Sequence, residues 1–143
     1  MGQPRLTPRV PPPEIEAILA AARTVAVVGW SARAERPSHW IAAYLAEAGY
    51  RVHRVNPVEA PGSEALPVLA TLAEIGAEID VVDVFRAPQF VPEVVAAASA
   101  AGAKVVWMQP GAENEAAAAR VRELGMTAVV GRCLYADHRA WKP

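Results

Sequence analysis

Short β-branched runs alternate with amphipathic helical stretches along most of the chain. That alternation predicts an α/β fold: a doubly wound, mainly parallel sheet flanked by helices. Two further observations support it. Thr24–Val28 is continuously apolar, as a strand buried on both faces is, and Ile79–Phe85 and Lys104–Gln109 share its valine-rich character. Helical stretches close on Gly49, Gly102 and Gly125, the residue type that most readily turns a chain out of a helix. The chain has 143 residues, 53% of them hydrophobic and 20% charged, which fits one compact domain with its own core.

The elements follow in order. Residues 1–13, MGQPRLTPRVPPP, are proline-rich and predict an extended segment ahead of a domain over residues 14–143. Glu14–Arg23 places Ile15, Ile18, Leu19 and Ala22 on one helical face. Thr24–Val28 is the first strand and stops at Gly29. Pro37–Gly49 is a helix with Trp40, Ile41, Tyr44, Leu45 and Ala48 on one face and Pro37 in its first turn. Arg51–Val55 is a strand ended by Asn56-Pro57. The turn-rich stretch that follows holds a short edge strand at Leu66–Val68 and a brief helix at Leu69–Ile75. Ile79–Phe85 is a strand, and Pro88–Gly102 a helix with Val91, Val94, Val95 and Ala98 inward. Lys104–Gln109 is the next strand. Asn114–Gly125 is a helix with Asn114 as cap, Met126–Val130 the last strand, and the tail forms a final helical turn.

Composition narrows the function. A net charge of −1 without basic or acidic blocks gives no sign of nucleic-acid binding. A single cysteine excludes a disulfide framework and a cysteine-cluster zinc site. No apolar run approaches the roughly 20 residues a membrane span needs. No leader pattern stands at the start, so the expected location is cytoplasmic.

Right-handed crossovers bring every strand-to-helix loop to one sheet edge, and a Rossmann-like sheet takes its ligand there. The loop Gly29–Ser38 is the most informative. Gly29 permits a tight turn and a close approach of backbone to phosphate. The helix starting at Pro37 aims free amides and its positive dipole end at the same space. Ser31 and Ser38 offer hydroxyls, and Arg33 and Arg36 offer guanidinium groups. Two readings stand: an anion site, or a helix capped by Ser38 with solvated arginines. The dinucleotide fingerprint is missing, since only Gly29 is present and no carboxylate ends the second strand. Arg54 lies near that strand end, where a cation tolerates a phosphorylated ribose, a feature of both NADP and coenzyme A. A P-loop is absent.

The segments VAVVGWSARAERPSHWIAAYLAEAGYRVHRVNP, IDVVDVFRAPQFVPEVVAAA and AKVVWMQPGAENEAAAARVRELGM, with Arg132-Cys133, resemble the small stand-alone CoA-binding domain proteins. These are similar in turn to the CoA-binding domain of the succinyl-CoA synthetase alpha subunit. The likeness runs from about Thr24 to His138. It implies that the Gly29–Ser38 loop holds phosphates, that Asn56 and Pro57 shape the nucleotide pocket, and that Phe85 and Arg86 line the path to the pantetheine arm. Gln109 would border the same crevice. Trp30 either stacks on the adenine or packs under the loop. Pro110 departs from the family pattern and removes one amide donor.

No catalytic set emerges. There is no Ser/His/Asp order, no metal-ligand spacing and no pair of helical carboxylates. His39 lies in the first turn of the phosphate-loop helix, His53 in mid-strand and His138 in the tail. Cys133 stands beside Arg132 near a strand end, and Asp83 lies inside a buried strand, where a carboxylate needs a partner. The expectation is therefore a binding or regulatory module for coenzyme A or an acyl-CoA, without catalysis of its own. The alternative is a small enzyme acting on a CoA thioester or an NADP-linked substrate through Cys133, His39 or Asp83. A third reading is an interaction protein with a vestigial crevice. The alanine-rich helices also leave room for a homo-oligomer.

Overall fold

A computed structural model describes residues 10–142. The elements are α1 (Pro13–Ala21), β1 (Thr24–Val28), α2 (Pro37–Glu47), β2 (Arg51–Val55), β3 (Val68–Leu69), β4 (Val81–Val84), α3 (Val91–Ala100), β5 (Val105–Met108), α4 (Glu115–Glu123), β6 (Thr127–Val130) and α5 (Leu134–Trp141). Three-ten turns occupy Leu72–Ile75 and Pro88–Phe90. The six strands form one sheet in the order β3-β2-β1-β4-β5-β6. Every neighbouring pair is parallel. This is the doubly wound, Rossmann-like α/β fold that the alternation of runs predicts.

Period-two alternation splits the core between the sheet faces. Ala26, Val28, Val82, Val84, Val106 and Met108 pack against α3 and α4. Val25, Val27, Val81, Val105 and Trp107 pack against α1, α2 and α5. The chain thus covers one face after β1 and the other after β4, and β1 and β4 are neighbours in the sheet. The strand order reverses between them, and their carboxyl ends flank the switch-point crevice.

Several boundaries differ from expectation. The edge strand is Val68–Leu69, and the helix expected over Leu69–Ile75 shrinks to one three-ten turn ended by Gly76 at φ 63°. The helix expected from Pro88 is broken into a three-ten turn and α3, whose own first turn holds Pro92. The expected final turn is a full helix, α5, which buries Leu134, Asp137 and His138. Asn114 caps α4 as expected, its side chain accepting from the Ala117 amide. Of the proline-rich segment expected over residues 1–13, residues 1–9 lie outside the described residues. Pro12 is extended and α1 begins at Pro13.

At the amino edge of the sheet, Asp80 ties the start of β1 to β5. Its carboxylate accepts from the amides of Arg23 and Thr24 at 2.7 and 3.0 Å and pairs with Lys104 at 3.2 Å. Burial works to raise the Asp80 carboxyl, but those amides and the lysine outweigh it and hold it below its usual range. Among the described residues, no helix is long and apolar enough to cross a membrane.

Candidate functional site

Two chambers open side by side across the carboxyl ends of the strands, and both are walled by Gly29 and Arg86. The first, about 410 Å³, lies over β1 and β2 and is lined by Val55, Asn56, Pro57, Thr71, Leu72 and Val94 among others. The second, about 340 Å³, lies over the start of α2 and reaches Gln109.

Gly29 holds the junction for two reasons. Its φ is 88°, a left-handed conformation that side chains disfavour. A Cβ built there would overlap the Phe85 carbonyl and lie 3.3 Å from Arg86 Cγ. Loops from β1 and β4 meet here with no room for a methyl group.

The β1 loop is tied down from all sides. The amides of Gly29 and Trp30 donate to the Val55 carbonyl at 2.9 and 3.3 Å. Asn56 Nδ2 donates to the Trp30 carbonyl at 2.8 Å, and Asn56 Oδ1 accepts from Val58. The Ser31 amide donates to Ser38 Oγ at 3.0 Å, and the Ala32 amide to Glu59 at 2.9 Å. Ser31 Oγ accepts from the Arg33 amide at 3.1 Å. These bonds organise the loop before any ligand arrives.

The loop leads into α2 through Arg36 at the cap position, whose side chain makes no cap hydrogen bond. A guanidinium has no acceptor with which to cap a helix. The first turn of α2 therefore faces the second chamber with its dipole end uncompensated by side chains. Ser38, expected as a possible cap, sits inside the helix and is only 4% exposed.

Three arginines surround this space. Arg33 pairs with Glu35 at 2.9 Å on the surface. Arg36 is exposed and has no ion-pair partner among the described residues. Arg86 lies over the Phe90 ring at 4.4 Å and within 4.0 Å of Glu93, which aims it between the chambers.

The residues expected from the sequence gather here with two exceptions, Trp30 and Arg54. Gly29, Ser31, Arg33, Arg36, Pro37, Ser38, Phe85, Arg86 and Gln109 line the second chamber, and Asn56 and Pro57 the first. Trp30 lines neither. It is 4% exposed, stacks on His39 at 5.3 Å and packs under the loop, so its ring is not available to an adenine. Arg54 also misses the crevice. It pairs in register with Val27 and lies over the Trp30 ring at 5.9 Å, on the α2 side of the sheet. The cation that walls the first chamber is Arg86 instead.

Gln109 does more than border the crevice. Its buried Oε1 accepts from the Leu134 amide at 2.9 Å and so satisfies the start of α5. Thr71, Leu72, Val94 and Ala97 of the first chamber escaped the sequence reading. Val94 was read only as core, and the other three carry no motif. The helical period of α3 gave the one usable signal, since Ala97 follows Val94 by nearly one turn.

The candidate reactive groups stand apart. Cys133, His39 and Asp83 line neither chamber. His39 Nδ1 donates to the Ser31 carbonyl at 2.9 Å, which props the loop. Asp83 is wholly buried, both oxygens lack partners, and burial pushes its carboxyl well above the usual range, so it sits in the core as a neutral acid. Arg132 forms a bidentate pair with Asp137 at 2.7 and 2.8 Å, and its carbonyl accepts from Trp107 Nε1. No group of three metal-ligating side chains occurs among the described residues.

Known proteins place this crevice in a family. YneT of Bacillus subtilis (strain 168), itself uncharacterised, is 37% identical over 131 residues, spanning 90% of this chain and 95% of that protein. The structure of a hypothetical protein from Pyrococcus horikoshii OT3 superposes with a TM-score of 0.88 at 31% identity, covering 100% of both chains. A Thermus thermophilus protein, cell-free ID.343, superposes with a TM-score of 0.85 at 32% identity, over 90% of this chain and 96% of that one. The CoA binding domain family matches residues 23–139, the whole sheet with the crevice at its carboxyl edge, and the chain belongs to that family.

Proposed function

We propose that the chain binds coenzyme A or an acyl-CoA across the two chambers, as a binding or regulatory module rather than a catalyst. The observation that carries this reading is the start of α2. An arginine stands where a capping side chain would, and the helix end opens onto a chamber walled by further arginines. The diphosphate fits over that helix start, between Gly29 and Arg86. The nucleotide fits the first chamber, where Val55, Leu72 and Val94 supply apolar walls and Asn56 and Thr71 supply polar groups. The pantetheine arm fits along Phe85 toward Gln109.

The cradle suits the group on the chain's own geometry. The Gly29 backbone comes closer to the β4 loop than any side chain would allow. The amides of Gly29, Trp30, Ser31, Ala32 and Arg33 are committed to internal bonds, so the binding charge comes from the helix end and the arginines. Coenzyme A supplies a thiol that carries acyl groups, and this chain's residues bind and orient it.

Calorimetric titration with coenzyme A, dephospho-coenzyme A and NADP tests the reading. Saturable binding of coenzyme A, weakened when Arg36 or Arg86 is replaced by alanine, is expected. A protein that takes up NADP and ignores coenzyme A would overturn it.

A further inference from the structure

The sheet edge remote from the crevice carries another cavity, of about 470 Å³. The ends of α1, α2 and α5 surround it. Its walls include the rings of Tyr44, Tyr50, His138 and Trp141, with Arg23 and Lys142 also lining it. Among the described residues, no acidic side chain lines it.

His138 stands at the centre of this wall. Its ring meets those of Tyr44, Tyr50 and Trp141 edge-on, with centroids 5.4, 5.6 and 5.7 Å away. The residue is 7% exposed. Its Nδ1 lies 2.7 Å from the Tyr44 hydroxyl, while the Tyr50 hydroxyl is spent on the Leu19 carbonyl at 2.7 Å. The second ring nitrogen, Nε2, has no hydrogen-bond partner among the described residues and is not sealed in the core. With Tyr44 donating to Nδ1, a neutral ring carries its proton on Nε2 and presents a donor at the cavity.

Neither the Arg23 nor the Lys142 side chain pairs with a carboxylate among the described residues. Lys142 Nζ lies over the Trp141 ring at 4.9 Å. Aromatic walls, a histidine nitrogen without a hydrogen-bond partner and two cations without a carboxylate partner among the described residues describe a receptor for one kind of ligand.

We propose that this cavity is a second ligand site, separate from the coenzyme crevice, for a small planar aromatic monocarboxylate. The ligand ring lies against Tyr44, Tyr50 and Trp141, and its carboxylate lies among His138 Nε2, Arg23 and Lys142. Neutral and cationic aromatics of the same size are discriminated against, because the donors would then lose their acceptor.

Benzoate titrated into the full-length protein, followed by amide NMR, is the test. Saturable shifts of Gly49, Lys142 and the Trp141 indole are expected, with benzyl alcohol about tenfold weaker or worse. The Arg23→Ala/Lys142→Ala double variant should lose about tenfold or more in benzoate affinity. Its amide spectrum elsewhere and its melting temperature should stay unchanged, since neither side chain supports the core. Absence of saturable shifts up to about 10 mM benzoate would overturn the site, being weaker than any specific contact set predicts. Equal binding of benzyl alcohol, or wild-type benzoate affinity in a folded double variant, would overturn it as well.

Discussion

Replacing Gly29 with alanine strikes the point where the two chambers join. Two costs arise. A side chain at φ 88° incurs left-handed strain, roughly 1–2 kcal/mol. The new Cβ also overlaps the Phe85 carbonyl, backbone that cannot swing aside, and overpacking of this kind costs about 1–3 kcal/mol. Together the expected loss of stability is about 2–5 kcal/mol. Gly111 provides the internal control, because it lies on the same edge at φ 96° with nothing within 4 Å of a built Cβ. Gly111→Ala should lose only the strain, about 1–2 kcal/mol. Urea denaturation of both variants reads the difference. Calorimetry then reads coenzyme A affinity, expected to fall about tenfold or more for Gly29→Ala as Phe85 and Arg86 are pushed away. Equal destabilisation by the two substitutions would refute the close approach. Unchanged affinity in a folded Gly29→Ala protein would refute the placement of the ligand over this junction.

Arg36→Ala should weaken coenzyme A binding by about 1–3 kcal/mol and flatten its salt dependence, and an unchanged affinity would mean that Arg36 serves only the solvent. Asp83→Asn should abolish a pH dependence of stability. The folded chain holds a proton on Asp83 that the unfolded chain releases above its ordinary value of 3.8, so wild-type stability falls as pH rises above that value toward the raised folded one. Denaturation midpoints that follow the same pH trend in both proteins would count against a buried neutral acid. His138 works in the opposite sense. Burial first, and Lys142 second, pull its pKa below 6.5, so the stability it contributes is held above 6.5 and lost as pH falls below that value. His138→Gln should remove part of the loss on acidification, while His53, lowered by burial and Arg51, retains its own share.

Much of this architecture was legible because parallel strands write themselves as valine runs and helices as periodic faces. The carboxyl-edge loops followed from topology alone, which is why residues as distant as Ser31, Asn56, Arg86 and Gln109 were read as one site. Failures came where facing mattered. Arg54 and Val55 are adjacent in β2, yet Val55 lines the first chamber and Arg54 turns under the loop. Only the register with β1 separates them, and a run reading Arg-Val-His-Arg-Val does not reveal which face is inward. Trp30 stood open between stacking and packing, and a buried slot between His39 and Arg54 decided it. The final helix had a readable signal in the spacing of Leu134, His138 and Trp141, but its anchor, the Gln109 side-chain oxygen Oε1, is a tertiary contact. The edge-strand region failed because two paired residues, Val68 and Leu69, leave no periodicity to count.

Gly29 and Arg86 belong to different halves of the sheet, one following β1 and the other β4. Within the sheet, the halves are joined by the pairing of β1 with β4. A ligand lying across both chambers crosses that seam like a rivet through two plates. Its binding energy is then drawn from both halves together and is surrendered only when they part. Occupancy would brace the molecule against global opening rather than quiet one loop, and the protection should extend to amides of β1 and β4 far from any contact with the ligand.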